Sequence, residues 1–489
     1  MSLHNDSITG SKNTRKKQLL ALIAAIAILA LVIAVPLEPF NNGVKDALLS
    51  AEGKTALAIL AFVIILWVTE ALPFTIAALT GLILIPLFGL MPFKDAVAYG
   101  FGNPVVVFFI GVLILSAGLT RSGLADRFTR IIFGRVGFQP RKLIFIFMVV
   151  GAFLSMWITN MSVSAILLPL AVNILHKARV EPLKSNFGKA LMIAVAWGPA
   201  IGGIATPVGN GANIVALGYL RDLAGIQIDF LRWMIVGVPA AVMILPLAYL
   251  ILIRVFPPEA IPEEVLITTP VYDTSSARLQ GGEVKALTIF ALAIIFWIGD
   301  PLLLHLTGIS LPLEAVAIGA AILFFLPGIN ILSWKEAQQE IDWGAIVLIA
   351  AGLSLGAVVF ETGAARWLAT LAFSPLSQFT LASRIFLAVF AVEIIKVMFS
   401  SNTVTGVIMV PLVIALSIEM GLDPWLLAGP VVIATSLAFL LVTSSPTNVI
   451  PYSSGYFSIK DFAKAGIPLT LVVPFCITVT FIIFGVMMQ

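Results

Sequence analysis

The chain has 489 residues, of which 60% are hydrophobic and 11% are charged, and its mean hydropathy is +1.09. A soluble core of this length could not bury so much apolar surface, so the composition excludes a soluble globular protein and indicates a polytopic membrane protein. The net charge of +3 gives no sign of nucleic-acid binding, and the single cysteine, Cys476, excludes a disulfide framework. The alternating pattern of membrane β-barrels is absent, which predicts an all-α fold.

The first segment joins a basic tail to an apolar run. Residues 1–18 are polar and rich in Lys and Arg, and they are followed by the apolar run 19–37, which has no cleavage site of a secretory signal. We therefore expect a retained first transmembrane helix with its outer loop over 19–50, and we expect the tail 1–18 to stay in the cytoplasm.

Apolar stretches recur along the rest of the chain, and a bilayer core of about 30 Å needs roughly 20 such residues for each crossing. They lie near 54–71, 74–91, 103–120, 143–175, 188–219, 229–255, 285–304, 310–327, 343–361, 380–418, 424–456 and 465–488. Two of them, 143–175 and 380–418, are broken by small polar residues but have no charged turn in the middle, which predicts re-entrant hairpins. About eleven crossings remain, with the N-terminus inside and the C-terminus outside, and most of the 28 Lys and Arg then lie in cytoplasmic loops.

The two predicted hairpins carry copies of the same sequence motif. Asn402 lies 242 residues after Asn160, and Pro411 lies 242 residues after Pro169, so the two tips align without a gap. A second broken helix follows each hairpin, at 202–213 and at 442–448. This order predicts an inverted-topology repeat, in which paired broken helices mark a binding site near the bilayer midplane.

The repeat divides the chain into two halves. The first spans 51–256 with an inward-opening hairpin near 143–175, and the second spans 285–489 with an outward-opening hairpin near 380–418. The Pro-, Glu-, Thr- and Ser-rich stretch within 257–284 is the expected cytoplasmic linker.

The polar breaks offer the chemistry of an ion-binding site. Half-helices that end at a break present free N–H groups and a positive dipole to an anion, while unwound carbonyls and hydroxyls suit a small cation. The amides of Asn160 and Asn402 can serve both, since each carries a donor and an acceptor. Intramembrane Ser, Thr and Asn also commonly satisfy neighbouring helices, but four clusters at matched positions favour a site.

Motifs of other functional classes are missing from the sequence. There is no G-x-x-x-x-G-K-[ST] phosphate loop, so the sequence gives no sign of a transporter that ATP drives directly. A membrane enzyme would need an acid/base pair, and none is visible. An anion channel, which would need a continuous polar pore, and a sensor remain as alternatives to a carrier, and conductance or binding without flux would identify them.

Several motifs resemble those of the divalent anion/sodium symporter family, the sodium-coupled di- and tricarboxylate and sulfate carriers. The resemblance covers nearly the whole chain after residue 50. It rests on the tip Ser401-Asn402-Thr403, which matches the family's Ser-Asn-Thr motif, and on these further segments: Trp67-x-Thr69-Glu70-Ala71-x-Pro73, the first tip at 159–161, 202–213 and 438–448.

The resemblance implies a homodimer in a bacterial inner membrane, with a scaffold domain and a transport domain that moves as an elevator. It implies no enzyme activity and no cofactor, with Na⁺ as the co-transported ion. By position, the substrate-contacting residues would be Asn160, Met161, Asn210, Asn402, Thr403, Ser445 and Pro446. One sodium site would comprise Ser155, Thr159, Asn160 and the Gly209 backbone, and the other Ser401, Asn402 and Ser444.

Three residues depart from the family pattern. Met161 replaces a carboxylate-binding hydroxyl at the first tip, Val397 stands where sodium-coupled members tend to have a hydroxyl, and Lys396 lies beside it. Lys396 either pairs with Glu393 one turn earlier or takes the place of a bound cation. Glu70, between two helices, is expected to be structural.

The function predicted from the sequence is secondary transport of C4-type dicarboxylates by sodium symport. A sodium-independent dicarboxylate exchanger, or a carrier of sulfate or a sulfonate, is the alternative.

Overall fold

The structure is a computed structural model that describes residues 2–37, 48–134, 139–260, 279–373 and 378–488. Within these ranges the chain forms helices and no strand, which confirms the all-α prediction. Eight of the helices described are long and apolar enough to cross a membrane, and three shorter ones are also apolar. The number of crossings stays a prediction, and most of the predicted linker lies in 261–278, outside the described residues.

The N-terminal helix α1 (Ser2–Ala34) is longer than the predicted first span. It begins within the stretch expected to be a polar tail and continues without a break into the apolar run. Helix α1 packs against the first helix of the first half.

The two halves contain the same series of helices in the same order. The first half comprises α2 (Ala51–Thr69), α3 (Phe74–Leu87), α4 (Phe93–Gly100), α5 (Pro104–Arg121), α6 (Leu124–Gly134), α7 (Pro140–Ser155), α8 (Asn160–Lys177), α9 (Asn186–Gly202), α10 (Gly211–Ala224) and α11 (Phe230–Val255). The second comprises α12 (Gly281–Thr307), α13 (Leu313–Leu323), α14 (Trp334–Glu340), α15 (Trp343–Glu361), α16 (Ala364–Phe373), α17 (Leu381–Ile395), α18 (Asn402–Glu419), α19 (Trp425–Thr435), α20 (Pro446–Tyr452) and α21 (Ile459–Thr480).

Contacts between the halves are reciprocal. Helix α5 packs against α13, and its counterpart α15 packs against α3; likewise α10 packs against α18, while α20 packs against α8. Such exchange of contacts is what a two-fold relation produces, because element i meets j while j meets i. The opposite orientation of the halves across the bilayer stays a prediction.

Hydroxyl caps fix the two hairpin tips. In the first, α7 ends at Ser155 and α8 starts after Thr159, whose side chain accepts from the backbone N–H of Ser162 at 3.4 Å. In the second, Ser401 accepts from the N–H of Val404 at 3.4 Å. Each hydroxyl satisfies an otherwise free donor of the helix start, so short polar residues can open the helix at membrane depth.

Candidate functional site

One cavity of about 570 Å³ lies where the tips and the broken helices meet. Its volume falls within the roughly 300–1,000 Å³ typical of small-molecule sites. The hairpin tips contribute 159–162 and 401–403, and the second breaks contribute 208–211 and 445–447. The opposite wall comes from α3, α5 and the start of α15. The geometry therefore brings all four predicted breaks to one site.

The predicted site residues are placed as follows. All seven predicted substrate residues line the cavity: Asn160, Met161, Asn210, Asn402, Thr403, Ser445 and Pro446. Of the predicted sodium ligands, Thr159, Gly209 and Ser401 also line it, while Ser155 and Ser444 are buried behind the tips.

The lining is poor in positive charge. It contains no Lys or Arg, and its charged residues, Glu340 and Asp342, are acidic and exposed. The positive groups that the cavity does offer include the starts of α8, α10 and α18, at Asn160, Gly211 and Asn402. Helix N-termini can hold an anion, but two carboxylates of a dianion would also need cations nearby.

The first half-site, around Asn160, is densely hydrogen-bonded. With its amide oriented toward the surrounding carbonyls, Asn160 Nδ2 donates to Gly209 O at 2.9 Å and to Pro199 O at 3.3 Å, and it lies 2.5 Å from Ser155 Oγ. Asn160 Oδ1 accepts from Asn210 Nδ2 at 3.3 Å. The Asn160 side chain thus ties the first tip to the loop before α10.

The second half-site, around Asn402, is less satisfied. Asn402 Nδ2 donates to Ser436 O at 3.3 Å, whereas Asn402 Oδ1 and Ser444 Oγ are buried without a hydrogen-bond partner. Lys396 is buried and its Nζ donates to the backbone carbonyl of Ser444 at 3.3 Å. Two unpaired oxygens and a carbonyl are hard ligands of the kind a small cation needs.

Two residues that the sequence reasoning missed brace the second breaks. Asn213 Nδ2 donates to Gly203 O and Thr206 O, each at 2.9 Å, and Asn448 Nδ2 donates to Ala438 O at 2.7 Å. Each amide reaches the carbonyl ten residues earlier in its own half. The signal available in the sequence was a second Asn three residues after Asn210 and, in the other half, after Ser445.

Glu70 has a partner that the sequence did not indicate. It ends α2 in the left-handed conformation, with φ of 50°, and its Oε1 accepts from Ser400 Oγ at 2.6 Å. The second tip is therefore attached to the turn between α2 and α3, and Glu70, predicted to be structural, contacts the second hairpin.

A polar network lies away from the cavity at the other end of α10. Arg221 donates to Asn103 Oδ1 at 2.6 Å and to Glu314 Oε1 at 3.3 Å, and the Asn103 amide donates to Asp222. The network joins α10 to α5 and α13 by charge-assisted bonds.

Comparisons with known proteins identify the family of the chain. The family model described as "Sodium:sulfate symporter transmembrane region" matches residues 16–489. The chain is 29% identical over 443 residues to the sodium-dependent dicarboxylate transporter SdcS of Staphylococcus aureus strain bovine RF122, covering 86% of this chain and 84% of that protein. Over 446 residues it is also 29% identical to SdcS of strain USA300, with the same coverage.

A solved structure shares the fold. The YdaH transporter of Alcanivorax borkumensis, described as having an unusual topology, aligns with a TM-score of 0.55 and 15% identity over 80% of this chain and 88% of that one. At this identity the likeness concerns the fold alone.

Proposed function

Because the chain belongs to the sodium:sulfate symporter family of membrane transporters, we propose that it is a secondary carrier that couples sodium entry to the import of C4-type dicarboxylates. Membership of a transporter family supports transport rather than catalysis. The names of the SdcS relatives support both sodium and a dicarboxylate.

The observation that carries the proposal is the cavity between the two tips. It offers amides, hydroxyls and helix starts but neither Lys nor Arg, and two carboxylates stand at its edge. A dianion would bind there weakly until cations occupy the oxygen ligands behind the tips. Sodium binding and substrate binding therefore favour each other, and this reciprocal coupling is what symport requires.

The arrangement of the tips favours a dicarboxylate over sulfate. Asn160 and Asn402 approach one cavity from different hairpins, and a cavity of about 570 Å³ is far larger than a compact tetrahedral anion needs. A C4 chain would let one carboxylate meet each tip.

An elevator motion fits the division of the cavity wall. The tips and breaks form one side, and α3, α5 and α15 form the other. In such a motion α10 would slide along α5 and α13, so the Arg221 contacts with Asn103 and Glu314 would break in each cycle. Eight predicted crossings precede Glu340 and Asp342, so a cytoplasmic N-terminus puts both residues on the cytoplasmic side. Their exposure at the edge of the cavity therefore supports an inward-facing state. The homodimer, the bacterial inner membrane and the orientation of the termini stay predictions.

The test is uptake of labelled succinate into proteoliposomes that contain the purified full-length chain. We expect accumulation under an inward sodium gradient without internal anion, and none when potassium replaces sodium. Uptake only in sodium-free vesicles preloaded with a dicarboxylate would overturn symport and establish an exchanger. Uptake of labelled sulfate but not succinate would overturn the substrate assignment.

A further inference from the structure

The two halves of the site differ at the two positions where the first arm of each hairpin ends. The 242-residue offset pairs Leu154 with Lys396 and Ser155 with Val397. The first half-site thus has an apolar residue followed by a hydroxyl, and the second has an ammonium followed by an apolar residue. Val397 in place of a serine removes a cation ligand from the second half-site, and Lys396 in place of a leucine adds a cation.

The added ammonium lies at the carbonyl where a cation would bind. Ser444 is the counterpart of Gly209 in the broken helices that follow the hairpins. Asn210 directly precedes α10 and Ser445 directly precedes α20, so the residues one position earlier, Gly209 and Ser444, also match. Lys396 Nζ donates to Ser444 O at 3.3 Å. In the first half-site the matching carbonyl, Gly209 O, accepts instead from the neutral Asn160 amide at 2.9 Å.

Glu393 interacts electrostatically with Lys396 but does not hold its ammonium in a direct ion pair. No ion pair between described residues joins the two side chains, and Glu393 Oε1 is buried without a hydrogen-bond partner. Lys396 is only 1% exposed, so its ammonium is not hydrated by solvent. A buried charge is costly unless a nearby group gains from it, which makes an intramembrane Lys a candidate for function.

We propose that the Lys396 ammonium is the built-in cation of the second half-site and takes the place of a second bound sodium ion. This inference rests on the proposed sodium coupling and makes it more specific: of the two half-sites, the first binds sodium and the second holds the Lys396 side chain in place of the ion. Lys396 is then a residue that sets ion stoichiometry, acting through the second tip and the Ser444 carbonyl.

The second half-site also contains two unpaired oxygens. Asn402 Oδ1 and Ser444 Oγ have no hydrogen-bond donor, yet both lie in the half-site that holds the positive charge. Acceptors left without donors are tolerated more easily where a cation supplies a favourable field. In the first half-site, where no such charge is built in, Ser155 and Asn160 supply a hydroxyl and an amide carbonyl for a sodium ion.

The test is equilibrium binding of radiolabelled sodium to the purified full-length chain without substrate. The double variant Lys396→Leu with Val397→Ser copies the Leu154–Ser155 pair of the first half-site. We expect it to bind one more sodium ion per chain than the unsubstituted protein. The same number in both proteins would overturn the proposal.

A second variant keeps the test decisive if the double variant does not fold. Val397→Ser alone restores the hydroxyl but retains Lys396, and it changes a half-buried side chain conservatively. We expect it to bind no additional sodium, because the ammonium still occupies the position; an additional ion would overturn the proposal.

The absolute count separates this inference from the proposed function. One sodium ion bound to the unsubstituted chain is the expected result, and two would overturn the role of Lys396. None would overturn sodium coupling itself, while the difference between the double variant and the unsubstituted chain would still decide whether Lys396 replaces an ion.

Discussion

The two hairpin tips share a backbone device but not its chemistry. Thr159 and Ser401 cap the second arm of their hairpins in the same way, and Asn160 and Asn402 open helices α8 and α18 into one cavity. Around that common frame, the first tip is closely hydrogen-bonded, whereas the second leaves acceptors unpaired. The two halves thus share the geometry that exposes helix ends, while the side chains around it differ.

The substrate-facing residues diverge as well. Thr403 presents a hydroxyl at the second tip, and its counterpart Met161 presents a thioether that is 46% exposed. A carboxylate gains a hydrogen bond from the first of these and none from the second. The site is therefore lopsided, and it should hold one end of a dicarboxylate more firmly than the other.

The largest effect is expected from copying the second half-site into the first at Gly209. A Cβ there would lie 2.5 Å from Gly203 O and 2.6 Å from Ser155 O, so Gly209→Ser should displace the loop although Ser444 occupies the matching position. Overpacking of roughly 1–3 kcal/mol at a binding loop predicts a loss of sodium-driven uptake of about 5- to 150-fold. Initial rates in proteoliposomes provide the measurement. Gly281→Ser, where a Cβ meets nothing within 4 Å, is the matched control; equal rates in both variants would show that the loop tolerates a side chain.

The next-largest effect is a difference in stability between variants at Asn160 and at Asn402. Asn160 takes part in several hydrogen bonds, whereas Asn402 Nδ2 donates to Ser436 O and Asn402 Oδ1 has no partner. At about 1 kcal/mol net for each bond, Asn160→Ala should lower the unfolding free energy by about 2–3 kcal/mol and Asn402→Ala by about 1 kcal/mol. Thermal unfolding in detergent without sodium or substrate would compare them. Equal destabilisation would mean that the two half-sites are braced alike.

Much of the fold and the site frame could be predicted from the sequence. Polar breaks with Asn and a following Pro repeat at a fixed offset, and hydroxyl or amide caps mark where helices restart, so the tips at Asn160 and Asn402 were recognisable. These signals are local along the chain. The bond from Lys396 to Ser444, the contact of Glu70 with Ser400 and the brace at Asn448 join separate segments or need side-chain direction, which no periodicity encodes.

The N-terminal helix is another feature that the hydropathy pattern does not predict in full. Residues 1–18 were expected to be a polar, basic tail, and the structure adds that residues 2–18 are helical and belong to α1. Helix propensity in a polar stretch that precedes an apolar helix leaves little trace in hydropathy.

A smaller effect should follow from making the substrate-facing residues alike. Met161→Thr gives the first tip the hydroxyl of Thr403, and a hydrogen bond to a charged group is worth about 1.5–3 kcal/mol before desolvation and ordering costs. We expect the KM for succinate to fall by about three- to tenfold, with little change for a monocarboxylate. Thr403→Met should raise the KM for succinate by at least as much. An unchanged KM in both variants would show that carboxylates do not contact these positions.

The smallest effect concerns an attachment that only the second tip has. Ser400 Oγ donates to Glu70 Oε1 at 2.6 Å, whereas the counterpart of Ser400 in the first tip is Ile158, which is buried and has no hydroxyl. Since Glu70 is exposed, the bond should contribute only about 0.5–1.5 kcal/mol. If the second tip moves relative to α2 during transport, Ser400→Ala and Glu70→Gln should each change the uptake rate a few-fold, and the double variant should add nothing further. A double-mutant cycle on initial rates makes this measurement, with Thr69→Ser as a control beside Glu70. Additive effects would show that the two side chains act independently and that the second tip is held by its own hairpin alone.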